Sequence, residues 1–403
     1  MFLLTFLLIS LLLVNKLQRK TKLPLQRALK VRLYPENEQE IFLNAQFGAV
    51  RFAWNKALAI KNHYYKYHNQ NLKPSKDIKP LLSIAKNHDK YSWLKDYDSL
   101  ALQQAVINLN KAFNNFFAKR AGFPRFKKRN GKQSSYHTGG GISVDYDNST
   151  ITIPKIGEIK AKLHRLMDGK LTSITVSRTP SGKYYASLLF KSEEVLPSLP
   201  KKIDYSKMTG IDLGLKHFII DSKFDKVINP KFFVNSFRNL KRKQKQLSRK
   251  VKGSSNRNKA RIKLAKVHER IANQRLDFFY KLANKIVSEN QAIILETLKV
   301  KNMMKNRKLS KHIQDVAWST FIEILERKAL EKGVIVHKIN QWFASSKLCS
   351  CCGYKNEDLT LNIRHWECPE CKTLHDRDIN AALNIKEKGR LDLMAAGIVV
   401  SAY

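Results

Sequence analysis

Two pairs of cysteines near the carboxyl end place the strongest constraint on how this chain folds. They have the spacing Cys349-x-x-Cys352 and Cys368-x-x-Cys371, with fifteen residues between the pairs. A Cys-x-x-Cys segment forms a tight knuckle that directs two thiolates at one cation, and two knuckles complete the tetrahedral site that zinc prefers. Because four thiolates leave no open coordination position, the spacing predicts a structural zinc ribbon rather than a catalytic zinc site.

The fifth cysteine, Cys351, stands at the wrong offset from Cys349 for a knuckle, and we interpret it as a free or substitute thiol. All five cysteines lie within residues 349–371, so no disulfide framework spans the protein. This distribution is typical of a reducing compartment, and we expect the protein in the cytoplasm, associated with the nucleoid.

The charge balance indicates a polyanionic partner. The 403 residues include 75 lysines and arginines against 33 acidic residues, which gives a formal net charge of +42. Folding does not require such an excess, and self-repulsion makes it costly. We therefore expect a nucleic acid, with an anionic membrane surface as the main rival. With 43% hydrophobic residues the chain is not a disordered tail, and its length suits two or three domains.

Residues 2–14 are apolar apart from Thr5 and Ser10, and basic residues follow them. This stretch is too short to span a membrane and resembles a signal-peptide core, although no basic stretch precedes it and no clear cleavage site follows. It is an export signal, a membrane anchor, or the product of an upstream start codon that adds residues without a role. We favour the third hypothesis, and membrane association is not expected.

The next part of the chain combines helices with β-like runs. Residues 27–34 alternate as a strand, Pro35 ends it, and residues 38–58 carry apolar positions at helical spacing. A second helix is predicted after Ser99, its expected N-cap, with a stripe that is more typical of core than of a ligand site. Residues 150–190 contain several strand-like runs, the last two forming a hairpin, so residues 130–195 should form a small barrel or sheet.

A long basic helical stretch at residues 237–287 follows a strand-like segment at residues 210–220. Gly253-Ser254-Ser255 is expected to turn this stretch into a helical hairpin whose lysines face phosphate. The alternative is a solvated basic helix pair without a ligand. Candidate nucleic-acid contacts are the basic residues of this hairpin and of the segment before the β-like region, namely Lys241, Arg242, Lys245, Arg249, Lys252, Arg261, Arg125 and Lys127.

Three separate segments each offer a carboxylate at the end of an apolar run or at the start of a helix. Asp212 lies in a strand-like run, Glu296 ends a buried-looking strand, and Asp378 stands at a helix start. Buried carboxylates are costly unless they are paired or bound to metal, and oxygen ligands of this kind suit magnesium. Two such ions can promote phosphodiester hydrolysis. Taken singly, however, Asp212 fits a turn, Glu296 a salt bridge, and Asp378 an N-cap for a helix beginning at Ile379, a role that Asp376 can share.

An ordered set of short motifs resembles the TnpB family, the OrfB proteins of insertion sequences related to type V CRISPR nucleases. The resemblance covers residues 26–389. Its motifs are Arg32-Leu33-Tyr34-Pro35, Phe52-x-Trp54-Asn55-Lys56, Gly122-Phe123-Pro124-x-Phe126, Gly210-Ile211-Asp212-Leu213-Gly214, Leu295-Glu296, Ser345-Ser346-Lys347, and the segment from His375 through Asp376, Arg377, Asp378 and Ile379 to Asn384.

This resemblance implies an α/β multidomain protein with a RuvC-like RNase H fold that carries inserted helices and the zinc ribbon. It also implies an N-terminal helical recognition region and a small wedge-like β-barrel. The predicted segments are an apolar extension at 1–25, a first barrel strand at 26–35, the recognition region at 36–125, the barrel at 126–200, the nuclease with its basic insertion at 205–342, the ribbon at 343–374, a final nuclease segment at 375–390, and a tail at 391–403.

For function, the resemblance implies cleavage of DNA paired to a transposon-encoded guide RNA. It assigns Asp212, Glu296 and Asp378 as catalytic magnesium ligands, makes Asp376 a neighbour, and implies no small-molecule cofactor. The departures are Ala344 in place of a common proline, the extra Cys351, Lys372 in place of a usual glycine, and the apolar N-terminal extension, which has no counterpart in the family. The alternatives are a regulator of transposition that binds DNA or RNA without cutting, and a transposase that joins DNA ends.

Overall fold

The computed structural model describes residues 24–128, 134–306, 309–360 and 363–401, which form two compact units divided at Glu194 and Val195. The apolar extension predicted at residues 1–25 lies outside the described residues except for its last two. Among the helices within these ranges, none combines the length and apolar character that a membrane crossing requires.

The first unit combines a seven-stranded sheet with helices. Its helical elements are α1 (Asn37–His68), a π-helical turn (Pro74–Ile78), α2 (Leu81–Lys86), a 3-10 segment (Asp89–Asp96) and α3 (Ser99–Phe117). Its strands are β1 (Pro24–Tyr34), β2 (Ser134–Thr138), β3 (Ser143–Asp145), β4 (Thr150–Ile153), β5 (Gly157–Lys162), β6 (Lys170–Arg178) and β7 (Tyr184–Val195). The inward-facing residues of the strands and the apolar faces of α1 and α3 share one core.

The helix starts in this unit are fixed by local capping. Glu36 precedes α1, and its backbone N–H donates to the Gln39 side chain at 3.0 Å, which completes a capping box. The prediction that Ser99 caps α3 is wrong. Asp98 is the cap, accepting from the Leu100 backbone N–H at 2.9 Å, while Ser99 is the first helical residue and its hydroxyl accepts from the Lys86 ammonium.

The strand order of the sheet is β2-β6-β7-β1-β5-β4-β3. The hairpin predicted from two strand-like runs is β6 and β7, which pair antiparallel with Val176 opposite Ala186. Within the described residues β2 and β3 lie at the two ends of the order and no pairing joins them, so the small closed β-barrel is not confirmed.

Two of the sequence motifs contact each other in this unit. The indole N–H of Trp54 donates to the Arg125 carbonyl at 3.1 Å. The side chain of Asn55 both accepts from the Lys127 backbone N–H at 2.7 Å and donates to the Lys127 carbonyl at 2.9 Å. The motif in α1 therefore holds the segment that follows α3 through hydrogen bonds from its side chains to the backbone of that segment.

The second unit is an α/β structure with a basic helical hairpin and a cysteine-rich segment. Its strands are β8 (Lys202–Asp204), β9 (Met208–Leu213), β10 (His217–Asp221), β11 (Lys226–Ile228), β12 (Ala292–Glu296), β13 (Ile335–Ile339), β14 (His365–Glu367), β15 (Leu374–Asp376) and β16 (Val399–Ser401). Its helices are α4 (Phe232–Ser248), α5 (Ser255–Glu289), α6 (Val300–Met303), α7 (Ser310–Val316), α8 (Trp318–Lys332) and α9 (Arg377–Ala395).

The main sheet of this unit is mixed, with the order β11-β10-β9-β12-β13. Strands β9, β12 and β13 run parallel, and β10 and β11 complete the sheet antiparallel. The first four residues of β12 are fully buried, as a central strand covered on both faces requires. Helix α9 packs directly on β9, because a Cβ at Gly210 would collide with the backbone of Ala382 and Lys386.

The basic stretch forms the predicted helical hairpin from α4 and α5. The turn contains Gly253, whose φ of +88° favours glycine, and Ser254 caps α5 by accepting from the Arg257 backbone N–H at 3.1 Å. Helix α4 begins at Phe232, five residues before the predicted residue 237. The buried carboxylate of Asp315 accepts from the Phe233 N–H at 3.0 Å and pairs with Arg275 at 2.9 Å, so it fixes where the hairpin leaves the core.

Candidate carboxylate and metal sites

Two of the predicted acidic residues lie side by side at one edge of the mixed sheet. Strands β9 and β12 are parallel neighbours, with Ile211 opposite Leu295. The next residue in each strand is Asp212 and Glu296, so both carboxylates project at the carboxyl ends of the strands. Both side chains are half-buried. Parallel strands deliver their last residues to the same edge, which is why residues far apart in sequence meet here.

The third predicted residue, Asp378, reaches this edge from the first turn of α9. Burial raises the pKa of Asp212 to about 7, and the charges of Glu296 and Asp378 add to that rise. Burial likewise raises the pKa of Glu296, against a hydrogen bond from Ser345 that lowers it. Asp212 therefore lies close enough to Glu296 and Asp378 for their charges to act on it. Among the described residues, however, the ligand atoms of three or more His, Cys, Asp or Glu side chains lie within 4.8 Å of one another only in the cysteine group, so the three carboxylates are spread more widely than that.

Asp376 and Asp378 have different partners although they are two residues apart. Helix α9 begins at Arg377 rather than at the predicted Ile379, and Asp376 caps it by accepting from the backbone N–H groups of Asp378 and Ile379 at 3.1 and 3.2 Å. Asp376 also pairs with Lys226. The alternative role of Asp378 as the N-cap is therefore wrong, and its carboxylate is left for other partners.

Two basic groups and one hydroxyl surround the carboxylates, and sequence patterns did not identify them as site residues. Arg364 places one guanidinium nitrogen 2.7 and 2.9 Å from the two oxygens of Asp378. Arg377 opposes the rise in the pKa of Asp212. The buried hydroxyl of Ser345 donates to Glu296. Ser345 belongs to a quoted motif, but nothing local in the sequence signals the pairing of Arg364 with Asp378.

The donor set at this edge fits a divalent cation. Asp212 and Glu296 are desolvated carboxylates, and the charges of Glu296 and Asp378 both act on Asp212. Oxygen-rich, negatively charged clusters of this kind bind hard cations such as Mg²⁺. Arg364 offsets part of the charge at Asp378, so a cation that binds Asp378 competes with this ion pair. The assignment of these residues as magnesium ligands stays a prediction.

The raised pKa of Asp212 predicts a pH-dependent effect on stability in the metal-free protein. Because the folded pKa of about 7 lies above the ordinary aspartate value near 3.9, ionisation destabilises the fold progressively from about pH 4 to 7 and fully above that range. Asp212→Asn is expected to raise the Tm at about pH 8 by roughly 3–6 °C, and much less near pH 4. Thermal unfolding in buffer without added Mg²⁺, with the zinc site left loaded, measures this, and an equal difference at both pH values would contradict it.

The four predicted zinc ligands converge. The ligand atoms of Cys349, Cys352, Cys368 and Cys371 all lie within 4.8 Å of one another. The Sγ atoms of Cys349 and Cys371 are 3.6 Å apart, as are those of Cys352 and Cys368. Zinc–sulfur bonds of about 2.3 Å in a tetrahedron require sulfur separations of about 3.8 Å, so this cluster fits a zinc ion. Cys351 is exposed and lies outside the cluster.

Each knuckle is closed by a residue in the left-handed conformation. The backbone N–H of Gly353 (φ +81°) donates to the Cys349 carbonyl at 2.9 Å, and the backbone N–H of Lys372 (φ +59°) donates to the Cys368 carbonyl at 2.9 Å. Lys372 thus takes the conformation that glycine adopts most easily, at a cost of about 1–2 kcal/mol. The departure from the usual glycine therefore leaves the knuckle geometry intact.

The cysteine cluster is fastened to the first half of α9 by buried polar side chains. Asn380 donates to the Leu348 carbonyl at 2.6 Å and accepts from the Ser350 N–H at 2.9 Å. Asn384 donates to the same Leu348 carbonyl at 2.7 Å. The Nε2 atom of His375 lies 3.0 Å from Cys349 Sγ. The segment that carries Asp378 is therefore joined to the cysteine cluster by its own side chains, and this use of its histidine and asparagines was not predicted from the sequence.

The predicted nucleic-acid contacts of the hairpin are exposed basic side chains, and its interior is apolar. Lys241, Arg242, Lys245, Arg249, Lys252 and Arg261 all face solvent. Leu240, Leu264 and Ile271 pack between the two helices. In the first unit Arg125 is exposed, whereas Lys127 is half-buried with its ammonium 4.0 Å from the centre of the Trp54 ring. Their contact with nucleic acid stays a prediction.

Fold and sites define an α/β protein with a four-cysteine cluster beside a carboxylate edge. Family models match at residues 188–307 (OrfB of IS605, "Probable transposase"), 318–385 ("Cas12f1-like, TNB domain") and 25–70 ("Helix-turn-helix domain"). Within this last range the structure has β1 and the single helix α1.

Two relatives identified by sequence agree with these matches. A "Putative RNA-guided DNA endonuclease" of Streptomyces pristinaespiralis is 38% identical over 94% of this chain and 90% of its own length. The "Putative RNA-guided DNA endonuclease InsQ" of Escherichia coli is 33% identical over 93% and 95%. A solved Cas12f1 complex with guide RNA and target DNA aligns at a TM-score of 0.49 and 14% identity, covering 90% of this chain and 99% of that one. The chain belongs to the TnpB (OrfB) family of insertion-sequence proteins.

Proposed function

We propose that this protein is a transposon-encoded RNA-guided DNA endonuclease that hydrolyses phosphodiester bonds at a RuvC-like site. The names of its relatives support the guided activity. The observation that carries the chemical part is the convergence of Asp212, Glu296 and Asp378 at one sheet edge, with the pKa of Asp212 raised to about 7. The mixed sheet with Asp212 on its central strand supports the RuvC-like assignment.

In this proposal the carboxylates of Asp212, Glu296 and Asp378 hold Mg²⁺. When bound, the cation supplies Lewis-acid activation of water and neutralises charge on the phosphate. Ser345 orients Glu296 through its hydrogen bond. Asp376 fixes the start of α9, and Asn380 and Asn384 fasten that helix to the ribbon, so the position of Asp378 follows from the fold around it.

The zinc cluster has a structural role in this proposal. Four thiolates close the coordination shell of zinc, so the ion has no position for water or substrate. Guide RNA and target DNA are bound through their backbones by the exposed basic side chains, and base pairing with the guide supplies sequence specificity. No small-molecule cofactor takes part, and the site of action is the DNA of the host nucleoid.

The test of the proposal is to purify the chain from a host that carries its transposon, sequence the copurified RNA, and supply matching target DNA. The expected result is a discrete RNA and cleavage that needs Mg²⁺, the RNA and a matching target together. Binding without nicking under these conditions would support the regulator instead. Products with newly joined DNA ends would support the transposase.

The exposed hairpin predicts a specific salt dependence of RNA binding. Replacing Lys241, Arg242 and Lys245 together with glutamine is expected to weaken binding and to lower the slope of log Kd against log salt by about two to three, because three phosphate contacts are lost. Filter binding at several salt concentrations measures this. The matched control replaces Lys281 and Lys285, exposed lysines of α5 already paired with Asp277 and Asp225. An unchanged slope in the triple variant would reject the hairpin as the phosphate-binding surface.

A further inference from the structure

Trp342 is the most exposed large apolar side chain in the part of the chain that the structure describes, at 81% exposure. Of the other four tryptophans, Trp54, Trp318 and Trp366 are buried and Trp93 is 37% exposed. Leaving an indole in water forgoes the burial that normally stabilises this residue type. The neighbouring Phe343 does pack against the core, so the loop has an apolar anchor and Trp342 is not needed for that purpose.

The loop that carries Trp342 is attached at both ends to Glu296. At its start, Ile339 of β13 pairs with Glu296 of β12. At its end, Ser345 donates to the Glu296 carboxylate. Trp342 is three residues from each attachment, and three extended residues span at most about 11 Å. The backbone of Trp342 therefore cannot lie far from the carboxylate edge.

The loop has a defined conformation, and a lysine ammonium group lies beside the Trp342 indole. The Trp342 backbone N–H donates to the Asn340 side chain at 2.9 Å, and the Phe343 N–H donates to the Asn340 carbonyl at 3.1 Å. The ammonium of Lys299, three residues after Glu296, lies 5.5 Å from the centre of the Trp342 ring. An exposed aromatic face next to a basic side chain is the combination that binds single-stranded nucleic acid, through stacking and phosphate attraction.

We propose that Trp342 stacks on a base of the single-stranded DNA beside the scissile phosphate, and that Lys299 attracts the adjoining backbone. This inference rests on the proposed endonuclease function and adds a positioning residue to it. In the proposed function the carboxylates hold the Mg²⁺ that would bind the reacting phosphate, but they offer no surface for a base. An indole within one loop of them restricts how the strand enters, so its loss lowers the fraction of bound strand that lies in the productive position.

The test compares Trp342→Ala, Trp342→Leu and Trp342→Tyr in single-turnover cleavage of guide-matched DNA. Alanine and leucine are expected to lower the rate about 10-fold, whereas tyrosine keeps it within about three-fold because it retains a stacking face. The Tm should not change in any of them, because the side chain is exposed. Phe224→Ala is the matched control, an aromatic of 63% exposure on the turn between β10 and β11, and should cut at the wild-type rate.

A second measurement separates this inference from the proposed function. Oligothymidylate is expected to quench the tryptophan fluorescence of the wild-type protein more than that of the Trp342→Tyr variant, since only the wild type carries an indole at this position. If wild-type protein does not cut DNA at all, the endonuclease proposal fails, and the quenching still decides whether Trp342 binds single strands. Wild-type cleavage by Trp342→Leu, or equal quenching in the two proteins, overturns the stacking role.

Discussion

Replacing Asp212 with alanine is expected to reduce guided DNA cleavage by roughly 10³-fold or more while guide RNA remains bound. The charges of Glu296 and Asp378 both act on Asp212 and contribute to its raised pKa. Its removal takes away one of the three carboxylates that the proposed function assigns to Mg²⁺. Binding should hold because one acidic side chain contributes little against a net charge of +42. Single-turnover cleavage and RNA affinity, measured on the same preparation, check both parts.

The control for this variant is Asp225→Asn, which removes an exposed carboxylate of the same unit. It should cut at the wild-type rate and bind RNA equally well. A Tm measurement on Asp212→Ala excludes misfolding as the reason for lost activity, since removing a repelled carboxylate should not destabilise the metal-free fold. If Asp212→Ala cuts DNA as fast as the control, Asp212 is not a catalytic residue and the carboxylate assignment has to be abandoned.

The sequence located the acidic residues because each ends or begins a recognisable local element. Residues 292–295 form an uninterrupted apolar run that predicts a buried strand ending at Glu296, and the structure has β12 there. The apolar run does not indicate which strands lie beside it in the sheet. Strand β12 lies between β9 and β13, which are distant in sequence, and strand order depends on packing over the whole sheet. The convergence of the carboxylates was available only through the family resemblance.

Where two residues compete for one role, the sequence pattern did not decide between them. Asp98 and Ser99 are both good N-caps, and Asp376 and Asp378 are both acidic residues near a helix start. In each case the earlier residue is the cap. The outcome depends on contacts between residues that are distant in the sequence. The Lys86 ammonium donates to the Ser99 hydroxyl, and the Arg364 guanidinium donates to the Asp378 carboxylate.

Several short strands were not predicted from the sequence, and two of them close the second unit. Strands β8 and β16 have three residues each and pair with each other from opposite ends of the second unit, with Ile203 beside Val400. Such strands carry too few residues for a period-two pattern to be recognised. The first unit shows the same limit. Its strand-like runs were predicted, but no single run indicates which strands lie at the two edges of the sheet or whether the sheet closes.

Replacing Cys368 with serine is expected to abolish zinc binding and to lower cleavage by about 10²-fold without touching the carboxylates. Cys368 is fully buried and supplies one of four thiolates, and a structural zinc site stabilises its fold only when complete. The reason activity falls is mechanical. Leu348 and Ser350, which flank Cys349, are the partners of Asn380 and Asn384, so a disordered ribbon releases the start of α9 and with it Asp378.

The extra cysteine gives this experiment an internal control. Cys351→Ser removes an exposed thiol one residue from Cys352 but outside the cluster, so it should keep about one zinc per chain and full cleavage. Metal analysis measures the zinc, and hydrogen exchange measures whether the backbone of residues 377–384 loses protection in Cys368→Ser alone. If zinc is lost while that helix stays protected and cleavage continues, the ribbon does not position Asp378, and its role lies elsewhere.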